Sequence, residues 1–109
     1  MKKIEYSDFE KLDMKIGEIK EVERVENTDK LYKLQVDLGE KTIQIVSSLV
    51  PFYAKEELKN KKIVVLVSLK PTKFCGEISE GMLLCAETEE SECVLLGPEK
   101  NIKRGALVT

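Results

Sequence analysis

The side chains of this chain best placed to act on another molecule are cations near a proline. Lys70 and Lys73 flank Pro71 and Thr72 in the stretch Leu69-Lys70-Pro71-Thr72-Lys73-Phe74-Cys75-Gly76-Glu77-Ile78-Ser79-Glu80-Gly81-Met82. Pro71 fixes its own backbone angle and biases Lys70 toward an extended conformation, while Gly76 and Gly81 permit tight turns and close approach of another backbone. Two ammonium groups and the Ser79 hydroxyl, presented on a stiffened loop, are equipment for holding phosphate oxygens.

Catalytic chemistry finds little support. The 109 residues include no histidine to serve as a neutral-pH base, no GxSxG elbow and no GxxxxGK[ST] loop. Glu56-Glu57 and Glu89-Glu90 are sequence neighbours, which suits surface charge better than an acid and base pair. Cys75, Cys85 and Cys93 are odd in number, lack CxxC spacing and have no imidazole to join them, so neither a disulfide framework nor a metal site is expected. They read as reduced thiols, with Cys85 in the core. No enzyme activity and no cofactor are expected.

Net charge is −2, but it is distributed in blocks: residues 30–73 sum to +5, residues 1–29 to −3 and residues 74–109 to −4. A basic island between acidic flanks suits a local phosphate-binding face better than a uniform distribution does. Lys59, Lys61 and Lys62 are read as solvating charges only. The length fits one domain over residues 1–109. No apolar run approaches a membrane span and the opening residues lack a signal-like segment, so a cytoplasmic location without membrane contact is the expectation.

The elements that must position these cations follow from periodicity. Ser7-Asp8-Phe9-Glu10 has capping-box spacing and predicts a short N-terminal helix begun by Ser7. Apolar residues alternate at Leu12, Met14 and Ile16, then return out of phase at Ile19 and Val22. A long first strand bent by a bulge near Gly17 is therefore expected. Glu26 to Asp29 form a turn. Tyr32, Leu34, Val36 and Leu38 then alternate with polar residues, and Ile43 and Ile45 continue the pattern after Gly39-Glu40. Pro51 suits a first helical turn, so a helix through Leu58 is expected to plug the space between strands three and four. Ile63 to Val67 read as a strand buried on both faces, the loop Leu69 to Met82 follows, and Met82 to Ala86 read as the fifth strand. The residues 87–92 are read as an acidic, solvated loop. Cys93 to Leu96 and Ala106 to Val108 form an apolar tail that either wraps its own barrel or is shared with a second copy.

Three strands, a helix and two strands in this length give an all-β class with small helical additions, a five-stranded Greek-key barrel of the OB-fold type. The chain also resembles the tRNA-binding domain family. Leu69-Lys70-Pro71-Thr72-Lys73 matches its Leu-Lys-Pro-x-Lys, and Gly76 to Met82 matches its Gly-x-x-Ser-x-Gly-Met. Phe9 to Gly17, Asp29 to Leu34 and Gln44 to Ser47 match its earlier segments, so the resemblance covers nearly the whole chain. Cys75, at a position basic in some relatives, and Ser48, in place of a frequent glycine, depart from the pattern and imply weaker binding.

The resemblance implies recognition of folded tRNA by a non-catalytic protein, of the kind that serves as the beta subunit or C-terminal domain of methionyl-tRNA synthetase. It implies a homodimer joined near its termini, and a catalytic methionyl-tRNA synthetase subunit as a possible partner. Two other readings remain: a docking subunit of a synthetase complex, and the CsaA branch of the family, a dimeric secretion chaperone that binds peptides. The CsaA branch is expected to lack Gly-Met after the loop serine and to end soon after strand five, which favours tRNA here.

Tryptophan is absent, so base-stacking platforms are few. Phe74 and Tyr32 are the stacking candidates, with simple packing as the competing role; Phe9 and Phe52 read as packing residues. Few platforms and many lysines point to phosphate positions and shape rather than base reading. Lys30, Lys33, Lys70 and Lys73 are expected to lie along one groove, with Ser79 and Met82 shaping its end and core packing as the alternative for Met82. Four phosphate contacts give an expected log-log salt slope of about −3.

Overall fold

A computed structural model describes residues 1–109. The first strand, β1 (Met14–Arg24), is the spine of the molecule. It pairs antiparallel with β2 (Tyr32–Asp37) along its second half and with β4 (Lys62–Leu66) along its first. One strand thus serves two halves of a barrel because it bends. The register shift that bends it lies between Ile19 and Glu21, slightly beyond Gly17 where the sequence pattern placed it. Gly17 serves close packing instead. A Cβ there would sit 2.6 Å from Val36 Cγ1, so the missing side chain lets β1 lie tightly over the core.

β2 pairs with β3 (Thr42–Ser47), and β4 pairs with β7 (Met82–Leu83), giving the order β3-β2-β1-β4-β7. This nearly closed, five-stranded antiparallel barrel is the small OB-like all-β fold that the element order predicts. Inward residues of every strand meet in one cluster, with Ile19, Leu34, Val36, Ile45, Ile63 and Val65 almost fully withdrawn from water. Burial of side chains this size contributes about 1.5–3 kcal/mol each. β4 is less symmetric than its apolar run suggests: Ile63, Val65 and Leu66 are buried, whereas Val64 is half-buried. The C-terminal tail pairs along the edge of β4 there, the Val64 amide donating to the Leu96 carbonyl at 3.0 Å.

The N-terminal helix is short, as expected, but starts elsewhere, and the second helix is shorter than expected. α1 (Tyr6–Phe9) starts after Glu5, without a side-chain cap, so Ser7 lies inside the helix and the Ser7–Glu10 capping box does not form. α2 (Lys55–Leu58) begins well after Pro51; Ala54 precedes it and its amide donates to Glu57 Oε1 at 2.7 Å. Leu58 is fully buried and plugs the barrel end. Pro51 and Phe52 form a turn outside the helix. No helix is long and apolar enough to cross a membrane.

The stretch between β4 and β7 contains a hairpin of its own, β5 (Thr72–Phe74) with β6 (Glu77–Ser79). After β7, a second hairpin joins β8 (Cys85–Glu87) to β9 (Cys93–Leu95), its connection being the acidic residues. The last strand, β10 (Leu107–Val108), pairs with Met14 and Lys15 of β1. Arg104 reinforces this end with an ion pair to Asp37 at 2.8 Å. Within the chain the tail pairs with its own barrel, through β10 on β1 and Leu96 beside β4.

Candidate nucleic-acid interface

The β5–β6 hairpin turns on Cys75 and Gly76, both at positive φ (49° and 85°), the geometry of a two-residue turn whose twist matches its strands. Its register pairs Thr72 with Ser79, Lys73 with Ile78 and Phe74 with Glu77. Opposed residues share a face. Thr72, Phe74, Glu77 and Ser79 therefore face the barrel, and Lys73 and Ile78 face out.

Ser79 is buried and spends its hydroxyl internally. Its Oγ accepts from the Val46 amide at 3.0 Å and donates to the Gly81 carbonyl at 3.1 Å. Glu80 continues the seal: its backbone amide donates to the Gln44 carbonyl at 2.7 Å and its carboxylate accepts from the Gln44 amide at 2.8 Å. The open edge of β3 is thereby occupied by the hairpin's end. Gly81 permits this closure, since a Cβ there would lie 2.9 Å from the Leu66 carbonyl oxygen. The hydroxyl expected to be presented on the loop is turned inward and shapes the wall instead.

Between the hairpin, the end of β3, the turn at Phe52 and the β8–β9 hairpin lies a groove of about 440 Å³. Its lining includes buried Val46, Leu49 and Leu83, and Phe52, Leu69, Phe74 and Met82 are exposed around it. Lys70 and Glu87 are its charged members, and Ser47, Ser48 and Thr72 supply hydroxyls. Cys85 and Cys93 lie on its wall. Burial first, then a hydrogen bond in which the neutral Cys85 thiol donates toward Cys93, and the negative charge of nearby Cys93 and Glu87 push the Cys85 thiol up to about 12, so at neutral pH it remains uncharged. Cys85 is half-buried rather than fully in the core.

The four lysines differ in their surroundings. Lys70 is on the groove, and Lys30 is exposed next to Leu31, a groove residue. Lys73 stands on the outer face of the hairpin. Lys30, Lys70 and Lys73 form no ion pair. Lys33 is different: it lies 3.5 Å from both Glu23 and Glu77, tying β2 to β1 and to the hairpin. Burial acts to lower its pKa, yet the attraction and hydrogen bonds of the two carboxylates outweigh that and raise it. Lys33 is thus a structural cation near the hairpin that carries Lys73, and it does not line the groove.

Tyr32 is 5% exposed and its hydroxyl donates to the Tyr53 carbonyl at 2.7 Å, so it has no ring face for a base. Of its two possible roles, packing is the observed one. Phe74 is 44% exposed and Met82 50%, which removes core packing as the role of Met82. Phe52, expected to pack, is 40% exposed on the groove. Its signal in the sequence is faint, because Pro51 suits the first turn of a helix and a β-turn equally well. No three His, Cys, Asp or Glu side chains converge where a metal could be held.

Residues 14–107 match a protein-family model described as "Putative tRNA binding domain". Over 108 residues the chain is 45% identical to methionine-tRNA ligase of Methanocaldococcus jannaschii, covering 99% of this chain and 17% of that protein. The crystal structure of a MetRS-related protein from Pyrococcus horikoshii superposes with a TM-score of 0.94 at 38% identity, covering all of both chains. The CsaA chaperone protein of Picrophilus torridus superposes at 0.89 with 33% identity, covering 98% of this chain and all of that one. This CsaA chain therefore extends as far as the present tail, and tail length does not separate the two branches.

Proposed function

Because the chain belongs to the tRNA-binding domain family, we propose that it binds folded tRNA through phosphate and shape contacts, using Lys70, Lys73 and Lys30 around the groove and hairpin. The observation that carries the reading is that Lys70 is exposed and unpaired on a concave surface, with exposed, unpaired Lys30 next to the groove residue Leu31 and Lys73 on the outer face of the adjoining hairpin, in a chain matched over residues 14–107 by a tRNA-binding family. Met82 and Phe74 border the groove, and Ser79 shapes it from within. Residues 1–109 act as one tRNA-binding domain, and the reading assigns them no chemistry of their own. It acts as a tRNA-binding beta-type subunit or C-terminal domain for methionyl-tRNA synthetase, raising the tRNA concentration local to the catalytic part. Its similarity to methionine-tRNA ligase and the MetRS-related protein supports that assignment.

Association into a homodimer through the chain ends belongs to the same reading. Tyr6, Leu12 and Leu107 are exposed around one shallow concavity between α1 and β10, a concentration of apolar surface that water disfavours. Static light scattering is expected to give twice the chain mass; a single-chain mass counts against the dimer.

A peptide-binding chaperone is the second reading, favoured by the apolar character of the groove and the likeness to CsaA. Gel-shift competition decides between them. Intact tRNA is expected to compete better than heat-unfolded RNA or an unstructured peptide. Preference for the peptide overturns the tRNA reading.

A further inference from the structure

The groove beside the lysines is more apolar than phosphate binding requires. Phe52, Leu69, Phe74 and Met82 each leave 40–50% of their surface in solvent around one concavity. Apolar side chains held in water around a cleft mark a contact site. The groove's volume falls within the roughly 300–1,000 Å³ of clefts that take small organic groups.

We propose that this groove receives an unpaired nucleotide of the bound RNA, its base against Phe52, Phe74 and Met82 and its phosphate at Lys70. The inference rests on the tRNA-binding reading above and names a ligand group that reading leaves out. A nucleobase has flat apolar faces and a polar edge. The groove offers the complement: aromatic and thioether surface, a few hydroxyls from Ser47, Ser48 and Thr72, and Glu87 to accept a hydrogen bond from an exocyclic amine. The base must be unpaired, because a base within a duplex has no free face to insert.

The same site suits an extended peptide poorly. Strand addition needs an open sheet edge, and the edge of β3 beside the groove is already taken by Ser79 and Glu80 through the Val46 and Gln44 amides and the Gln44 carbonyl. A nucleotide requires no such edge.

The test is tRNA affinity by fluorescence anisotropy across a salt series, for the wild type, the Phe52→Ala/Phe74→Ala double variant and Phe74→Trp. The double variant is expected to bind about tenfold or more weakly at every salt concentration, with an unchanged salt slope, because stacking releases no counterions. Phe74→Trp is expected to retain binding, since an indole stacks at least as well. Both rings are well exposed, and the single Phe74→Ser change serves if the double variant unfolds by circular dichroism. Wild-type tRNA affinity in both Phe52→Ala/Phe74→Ala and Phe74→Ser overturns the inference and leaves tRNA binding by lysines intact. Loss of peptide binding with tRNA affinity unchanged also overturns it. Absence of tRNA binding by the wild type at about 50 mM salt overturns the underlying reading as well.

Discussion

Lys33 sits 3.5 Å from Glu23 and 3.5 Å from Glu77, and a cation held by two carboxylates has little charge left to offer a phosphate. Lys33→Ala is therefore expected to leave the salt slope of tRNA binding unchanged, whereas Lys70→Ala lowers its magnitude by about 0.7, one phosphate contact. Equal slope changes in the two variants would remove the distinction. Three unpaired lysines in place of four reduce the expected slope to about −2. The Cys85 thiol provides an independent check on the groove wall. With its folded pKa raised to about 12 from an ordinary 9.0, the neutral form stabilises the fold below pH 9, and that contribution disappears as pH rises toward 12. Mass-spectrometric footprinting with iodoacetamide at pH 8 is expected to label exposed Cys75 well before Cys85. Equal labelling rates would contradict the protected thiol. At this scale the sequence conveys residue type and not partnership. Lys33 and Lys70 look alike until Glu77 is brought across from another strand, and the phase of Tyr32 shows that it is buried only if the alternation is extended to the strand's first residue.

The hairpin and the segment after it belong together as one element. Ser79, Glu80 and Gly81 close the barrel against β3 and β4, so the Gly-x-x-Ser-x-Gly-Met pattern resembling the family reports architecture here more than ligand contact. Ser79→Ala leaves the Val46 amide buried without its acceptor, at an expected loss of about 1–3 kcal/mol. The urea midpoint measures it. An unchanged midpoint would show that Ser79 does not hold the edge. The strands were legible because period-2 alternation is a strong local signal, as in Tyr32 to Asp37. The helices were less so. Pro51 is compatible with a helical start, but Val50, Phe52 and Tyr53 follow tertiary packing and the helix waits for Ala54 and Glu57. The β5–β6 hairpin was hidden because its short strands carry exposed residues and no apolar alternation. The placement of the tail could not be read either, since an apolar strand pairs equally well within a chain or between chains.

Over the whole molecule, a chain of net charge −2 carries a basic middle, and folding exposes only part of that island as free cations. The barrel places Lys70 on the groove, Lys73 on the hairpin's outer face and Lys30 next to the groove residue Leu31, so the three cations proposed to hold RNA occupy a curved surface rather than a single line of charge. Such a surface favours a folded RNA with phosphates at several heights over an extended strand. The central claim is tested most directly by titrating intact tRNA against the protein and its Lys70→Ala/Lys73→Ala variant from about 50 to 200 mM salt. The expected result is saturable wild-type binding with a slope of about −2 and a variant weaker at low salt with a slope of about −0.7. Equal affinity and slope for the two proteins would contradict the account.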